Sequence, residues 1–155
     1  MTPVFQTRTG ANLGNCTEAC IATVLSLKLS DVPDLCEGGV RRPDWAATLS
    51  DWLRARGLVA VAAYTESQQS WPFSWQDIPD GVYSVMRRRP ILIGGMNPDN
   101  LGHYVAFWQG HAHDPNPSQR FLATWEEVRC YMPIDEARNL WGNLADARAI
   151  QLEWR

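Results

Sequence analysis

The sequence predicts an α+β domain in which N-terminal helices pack on a C-terminal antiparallel β-sheet. Two observations carry this. Before residue 57, apolar residues recur at helical spacing; beyond it they gather in short runs bounded by Gly, Pro, Asn and Asp. A third observation sets the scale. A chain of 155 residues, 45% hydrophobic and 20% charged, fits one globular domain spanning 1–155, with no repeat or interdomain linker. Eight tryptophans supply large packing volumes to one core.

The first helix is expected from about Asn15 to Leu27. Gly14-Asn15 suits an N-cap, Glu18 stands where a capping box needs it, and Cys16, Ala19, Cys20, Thr23, Val24 and Leu27 share a face. Ser30-Asp31-Val32-Pro33 then reads as a turn. A second helix runs from Pro43 or Asp44 to Arg56 on a stripe of Trp45, Leu49, Trp52 and Leu53, with Gly57 as its stop. Leu58 to Tyr64 reads as a strand, and the polar and aromatic stretch from Glu66 to Pro79 as a surface excursion.

Pro90 to Gly95 is an apolar run entering a turn at Gly94-Gly95, and Met96 to Asn100 carries turn chemistry. His103 to Trp108 follows as a strand that Gln109-Gly110 closes into a hairpin, and His113 to Pro117 leaves the sheet. Val128 to Ile134 and Ala149 to Trp154 are the last expected strands.

The net charge of −3 and the pI near 5.5 argue against a general phosphate-backbone binder, so no nucleic-acid partner is expected. No apolar run is long enough to span a membrane. Met1-Thr-Pro-Val-Phe-Gln has neither a basic start nor an apolar core; no secretory signal is expected, and the expected location is cytoplasmic.

Four cysteines and three histidines hold most of the chemistry. Cys16 falls in the first turn of the first helix, where unpaired N–H groups and the dipole favour a thiolate. Cys20, one turn deeper, reads as core, and Cys36 and Cys130 have no base near them in sequence. His103 opens a strand after Gly102, and Asp114 ends the return strand of the same hairpin. If those strands pair, the carboxylate can orient the imidazole while the other ring nitrogen takes a proton from a thiol. Gln6, upstream of Cys16, offers an amide to an oxyanion beside the Cys16 N–H.

Taken together, Gln6, the run from Gly14-Asn15-Cys16 to Ala22, Ser30 to Pro33, Gly102-His103-Tyr104-Val105-Ala106 and His113 to Pro117 resemble small papain-like cysteine peptidases. The likeness is to phage and prophage proteins related to the bacteriocin-leader (double-glycine) peptidase domains, and it touches about residues 4–34 and 90–118. It implies a papain-like fold, a protein or peptide substrate and no cofactor or metal. If the chain is phage-encoded, it implies work in the host cytoplasm. By position it implies Cys16 as nucleophile, His103 as general base, Asp114 as the orienting residue and Gln6 as oxyanion donor. The sequence departs from the leader peptidases at Asn15-Cys16-Thr17, where they have Asp-Cys-Gly, and in a longer spacing between Gln6 and Cys16.

Other readings stay open at this stage. Cys16 and Cys20, with His111, His113 or Cys36, have spacing compatible with structural zinc. A catalytically dead papain-like domain that binds a protein would keep the same fold signals. Disulfides are disfavoured, because cysteines four apart on a helix point along one face. Trp71, Phe73 and Trp75 either wall an exposed groove or pin a long loop to the core. Arg87-Arg88-Arg89, with Arg41-Arg42, either attract an acidic partner or form a solvated face.

Overall fold

The computed structural model describes residues 1–9, 14–37, 40–75, 84–142 and 150–153. Helix α1 (Cys16–Leu25) is buried from Cys16 through Val24, polar Thr17, Glu18 and Thr23 included. Small and apolar side chains all round make this a central helix rather than a surface helix with one apolar stripe. It stops two residues earlier than expected, at Ser26, whose left-handed backbone lets its N–H reach Ala22 and Thr23. The expected capping box is absent: the Asn15 side chain makes no cap, and Glu18 turns instead to accept the Leu35 N–H at 3.2 Å.

A tight turn at Leu29–Asp31 leads to a two-residue ribbon, β1 (Cys36–Glu37) against β2 (Val40–Arg41). Helix α2 (Trp45–Arg54) follows as an amphipathic helix that buries Leu49, Ser50 and Leu53. Gly57 takes a φ of +68°, the stop its position predicts, and its carbonyl receives the Ile134 N–H.

The remaining strands are β3 (Leu58–Ser70), β4 (Ile91–Met96), β5 (Gly102–Trp108), β6 (His111–His113), β7 (Thr124–Pro133) and β8 (Ile150–Glu153), with short helices α3 (Ser84–Arg87) and α4 (Ile134–Trp141). Sheet order is β6-β5-β4-β7-β3-β8. All neighbours are antiparallel except β8, which runs parallel to β3 from Val61↔Ile150 to Tyr64↔Glu153, so the sheet is not wholly antiparallel as expected.

Three other expectations are corrected. Strand β3 continues through Ser70, well into the stretch read as an excursion, because β7 still supplies a partner at Gln69↔Trp125 and Ser70↔Thr124. Polar composition marks exposed side chains here, not a loop. Strand β7 begins at Thr124 and gives way to α4 at Ile134, a helix the sequence reading lacked. Gly94-Gly95 lies within β4 rather than in a turn, paired to Tyr104 and His103.

Alternation along the strands divides the interior into two layers. On one face α1 and α2 set Cys20, Ile21, Leu35, Leu49 and Leu53 against Ala60, Leu92, Ala106 and Tyr131. The opposite face gathers Val61, Ile91, Ile93, Val105, Trp125, Val128 and Met132 under Phe73, Met86 and Ala137. Phe73 decides between the two aromatic readings. Its ring meets Trp75, Phe107 and Trp125 edge-on, each at 5.1 Å, so the segment is pinned to the core.

The Arg run is also spent locally: Arg87 donates to the Trp75 carbonyl and Arg89 pairs with Glu136. Among the described residues no helix is long and apolar enough to cross a membrane.

Candidate active site

The site forms where the start of α1 meets the start of β5. His103 and Asp114 come together through the β5–β6 hairpin, in which Ala106 pairs with His113. Continuing that register brings the residue after β6 back beside the start of β5. His103 Nε2 lies 2.8 Å from Asp114 Oδ1, and both side chains are buried. Nδ1 is the ring nitrogen left over, and the imidazole lines the same groove as Cys16, close enough for each to shift the other's pKa.

Asp114 is held at both oxygens. Oδ1 also accepts the Asn116 N–H at 2.8 Å, and Oδ2 accepts the Phe121 N–H at 2.6 Å. Burial pushes this carboxyl up, but His103 and the two backbone donors outweigh it and hold it below its ordinary value. Asp114 is therefore a fixed anion behind the imidazole.

The thiol and imidazole shift toward each other. Burial pushes the Cys16 thiol up; the hydrogen bond and charge of His103, the Tyr104 backbone and the Arg41 guanidinium more than offset this, and its pKa falls below the ordinary thiol value. Burial pushes His103 down, but Asp114 and Cys16 carry it up to about 9. Those directions favour a thiolate–imidazolium pair near neutrality. The other three thiols move oppositely. Burial raises Cys20 and Cys36, and it takes Cys130 to about 12. All four cysteines are free thiols.

Cys20 reads correctly as core, yet it has a second task. Its Sγ lies 3.4 Å from the Tyr104 carbonyl, and the backbone of the same residue helps to draw the Cys16 thiol down. Two cysteines one helical turn apart thus face one stretch of β5, directly after His103. The Tyr104 ring is anchored in turn: its hydroxyl donates to Glu127 at 2.6 Å, and Glu127 pairs with buried Arg129. Gly94 leaves the room for that ring, since a Cβ there would stand 2.6 Å from Tyr104 Cε1.

Gln6 enters along an extended N-terminal segment. Its N–H donates to the Pro115 carbonyl at 2.9 Å, and the Thr7 and Arg8 N–H groups both donate to Asn15 Oδ1 at 3.0 Å. On its other flank Val4 N–H donates to Thr23 Oγ1, and the Val4 carbonyl accepts from His113 Nε2 at 3.1 Å. The buried Gln6 Oε1 has no hydrogen-bond partner, and Gln6 lines the same groove as Cys16. Asn15, at the N-cap position of α1, thus spends its side chain on clamping Thr7 and Arg8, the residues that follow Gln6. A side-chain amide beside a cysteine was the available signal, and local cap statistics drew it to the wrong task.

The groove has a volume of about 620 Å³ and is lined by Cys16 and His103 together with Arg41, Cys36, Asn97, Asp99 and Arg120. All four residues expected in the site are therefore at one place: Gln6, Cys16 and His103 on the groove, with Asp114 buried behind the imidazole. The alternative zinc set is not assembled. Among the described residues the one cluster of three or more ligand-type side chains is Glu18, Asp34 and Cys36, and Asp34 there is already paired with Arg8.

An imidazole between a fixed carboxylate and a thiol at a helix start is competent to hold the thiol's proton and return it to a leaving group. No protein-family model matches the chain, and no curated protein matches it.

Proposed function

We propose that this protein is a papain-like thiol hydrolase that cleaves a peptide or isopeptide (acyl) bond in a protein or peptide substrate. The single observation that carries this is the buried His103, bonded to Asp114 through Nε2 and sharing a groove with the Cys16 thiol, whose pKa it lowers.

In this reading Cys16 attacks the carbonyl as a thiolate. The Cys16 N–H and the Gln6 side chain stabilise the oxyanion, and His103 gives its proton to the leaving amine. The thioester carbonyl is then attacked by water that has lost its proton to His103, which releases the acid and restores the thiol. No step asks for a metal or an organic cofactor. The phage-type resemblance supports a place of work in the host cytoplasm.

Iodoacetamide labelling followed by peptide mapping tests the proposal. Cys16 should label well before Cys20, Cys36 and Cys130 at neutral pH, and the His103→Ala protein should lose that lead. Equal, slow labelling of all four thiols would end the reading.

A further inference from the structure

Arg41 stands apart from the other cations of the groove. Arg120 is paired with Asp99. Among the described residues no carboxylate lies within ion-pair distance of Arg41; Cys16, Glu18 and Cys36 interact with its charge only through space.

The guanidinium is nonetheless fixed in place. Nη2 donates to Thr17 Oγ1 at 2.9 Å, directly beside the nucleophile, and the group sits over the Trp45 ring at 5.1 Å. Nη1 is buried with no hydrogen-bond partner. Arg41 nonetheless lines the groove with its charge uncompensated by any carboxylate at ion-pair distance, so a carboxylate delivered along the groove gains a cationic partner there. Stacking and the Thr17 bond have already ordered the side chain, so little freedom is lost when an anion arrives.

We infer that Arg41 forms an anion subsite next to Cys16, and that the substrate carries a carboxylate close to the scissile bond, either an acidic side chain or a free chain end. This rests on the thiol-hydrolase reading above and names a substrate class for it. The neighbouring walls suit such a substrate: Asn97, Asn116 and Ser118 line the groove with neutral hydrogen-bonding groups, and Asp99 is engaged by Arg120.

Two alkylating reagents of nearly equal size test it, because iodoacetate is anionic and iodoacetamide is neutral. The imidazolium of His103 already favours the anion, so the deciding quantity is the ratio of the two rates at Cys16 in wild type against Arg41→Gln. That ratio should fall about fivefold, the size of one half-exposed ion pair, with Arg41→Lys in between. Dividing by the iodoacetamide rate removes any general change in thiolate reactivity. An unchanged ratio with brisk iodoacetamide labelling would overturn the subsite and leave the hydrolase reading standing, whereas slow labelling of Cys16 by both reagents in wild type would count against the hydrolase reading.

A pair of isomers then assigns the source. N-acetylglutamic acid α-amide carries only a side-chain carboxylate and N-acetylglutamine only a terminal one. The isomer that slows iodoacetamide labelling more in wild type identifies the source, and that difference should vanish in Arg41→Gln.

Discussion

Asp114 Oδ1 meets His103 Nε2 at 2.8 Å while accepting the Asn116 N–H, and its second oxygen accepts the Phe121 N–H. The carboxylate therefore has two duties, one to the imidazole and one to the loop that carries it. Asp114→Asn removes the charge and keeps the shape. It should lower the His103 pKa, raise that of Cys16, and slow iodoacetamide labelling at about pH 6 by tenfold or more. Asp114→Ala should in addition cost about 1–3 kcal/mol in denaturant unfolding, since buried N–H groups lose their acceptor.

The pH dependence has a defined sign. Cys16 lies below its ordinary thiol value and His103 is carried up to about 9. Cys16 alkylation should therefore rise with pH well before an exposed thiol at about 8.5 does. Hydrolysis should decline again as pH passes about 9, when His103 loses the proton that the leaving amine needs. Stability follows the same direction. Folded His103 binds its proton more tightly than an unfolded imidazole at about 6.5. Its contribution is complete below that value and is lost as pH rises through about 9. Cys16, held below its ordinary value, contributes in the opposite sense, so the wild-type thermal midpoint should fall through this pair only above about pH 9, where His103 loses its proton with the thiolate already formed.

Asn15→Ala separates the oxyanion contribution from the thiol. The Thr7 and Arg8 N–H groups lose their shared acceptor, and Gln6 loses its anchor on that side. Iodoacetamide labelling of Cys16 should change by less than about twofold, while acylation by p-nitrophenyl acetate should fall by tenfold or more, the loss expected when an oxyanion donor is misplaced. Equal losses in both measurements would place Asn15 in support of the nucleophile instead.

The paired glycines of β4 should differ. A Cβ on Gly95 would stand 2.0 Å from the Thr124 carbonyl oxygen, where strand backbone cannot yield without breaking the sheet. Gly95→Ala should cost about 3 kcal/mol or more by urea unfolding, at or beyond the upper end of ordinary overpacking. At Gly94 the obstacle is the Tyr104 ring, which can tilt. Gly94→Ala should cost about 1–2 kcal/mol, but it should also disturb Cys16 labelling, because Tyr104 follows His103.

Removing one partner of the buried Glu127–Arg129 pair should be severe. Both side chains are buried, and Arg129 also lies over the Trp45 and Tyr104 rings. Glu127→Ala leaves a guanidinium without its carboxylate and should cost about 3–5 kcal/mol in the same unfolding experiment.

Much of this was legible in the chain. Periodicity located α1, α2 and the hairpin of β5 and β6, and the hairpin alone brought Asp114 to His103 across eleven positions. Local patterns failed where a distant partner decided the outcome. Glu66 to Ser70 look like loop until β7 again offers a partner at Gln69 and Ser70, and α4 is a short helix whose first turn follows a strand without a break. Asn15 was misread for the same reason: its acceptor faces residues 7 and 8, not its own helix. Arg41 was visible only as part of a charge pattern, since neither its stacking on Trp45 nor its place on the groove has a sequence signature.

The division of the interior by the sheet separates stability from chemistry. No residue of the core beneath Phe73, Met86 and Ala137 lines the groove, whose walls come from the N-terminal segment, the start of α1, the β1–β2 ribbon, the β4–β5 turn and start of β5, and the loop after β6. Substitutions in that remote layer should therefore change the free energy of unfolding while leaving the groove's lining as it is.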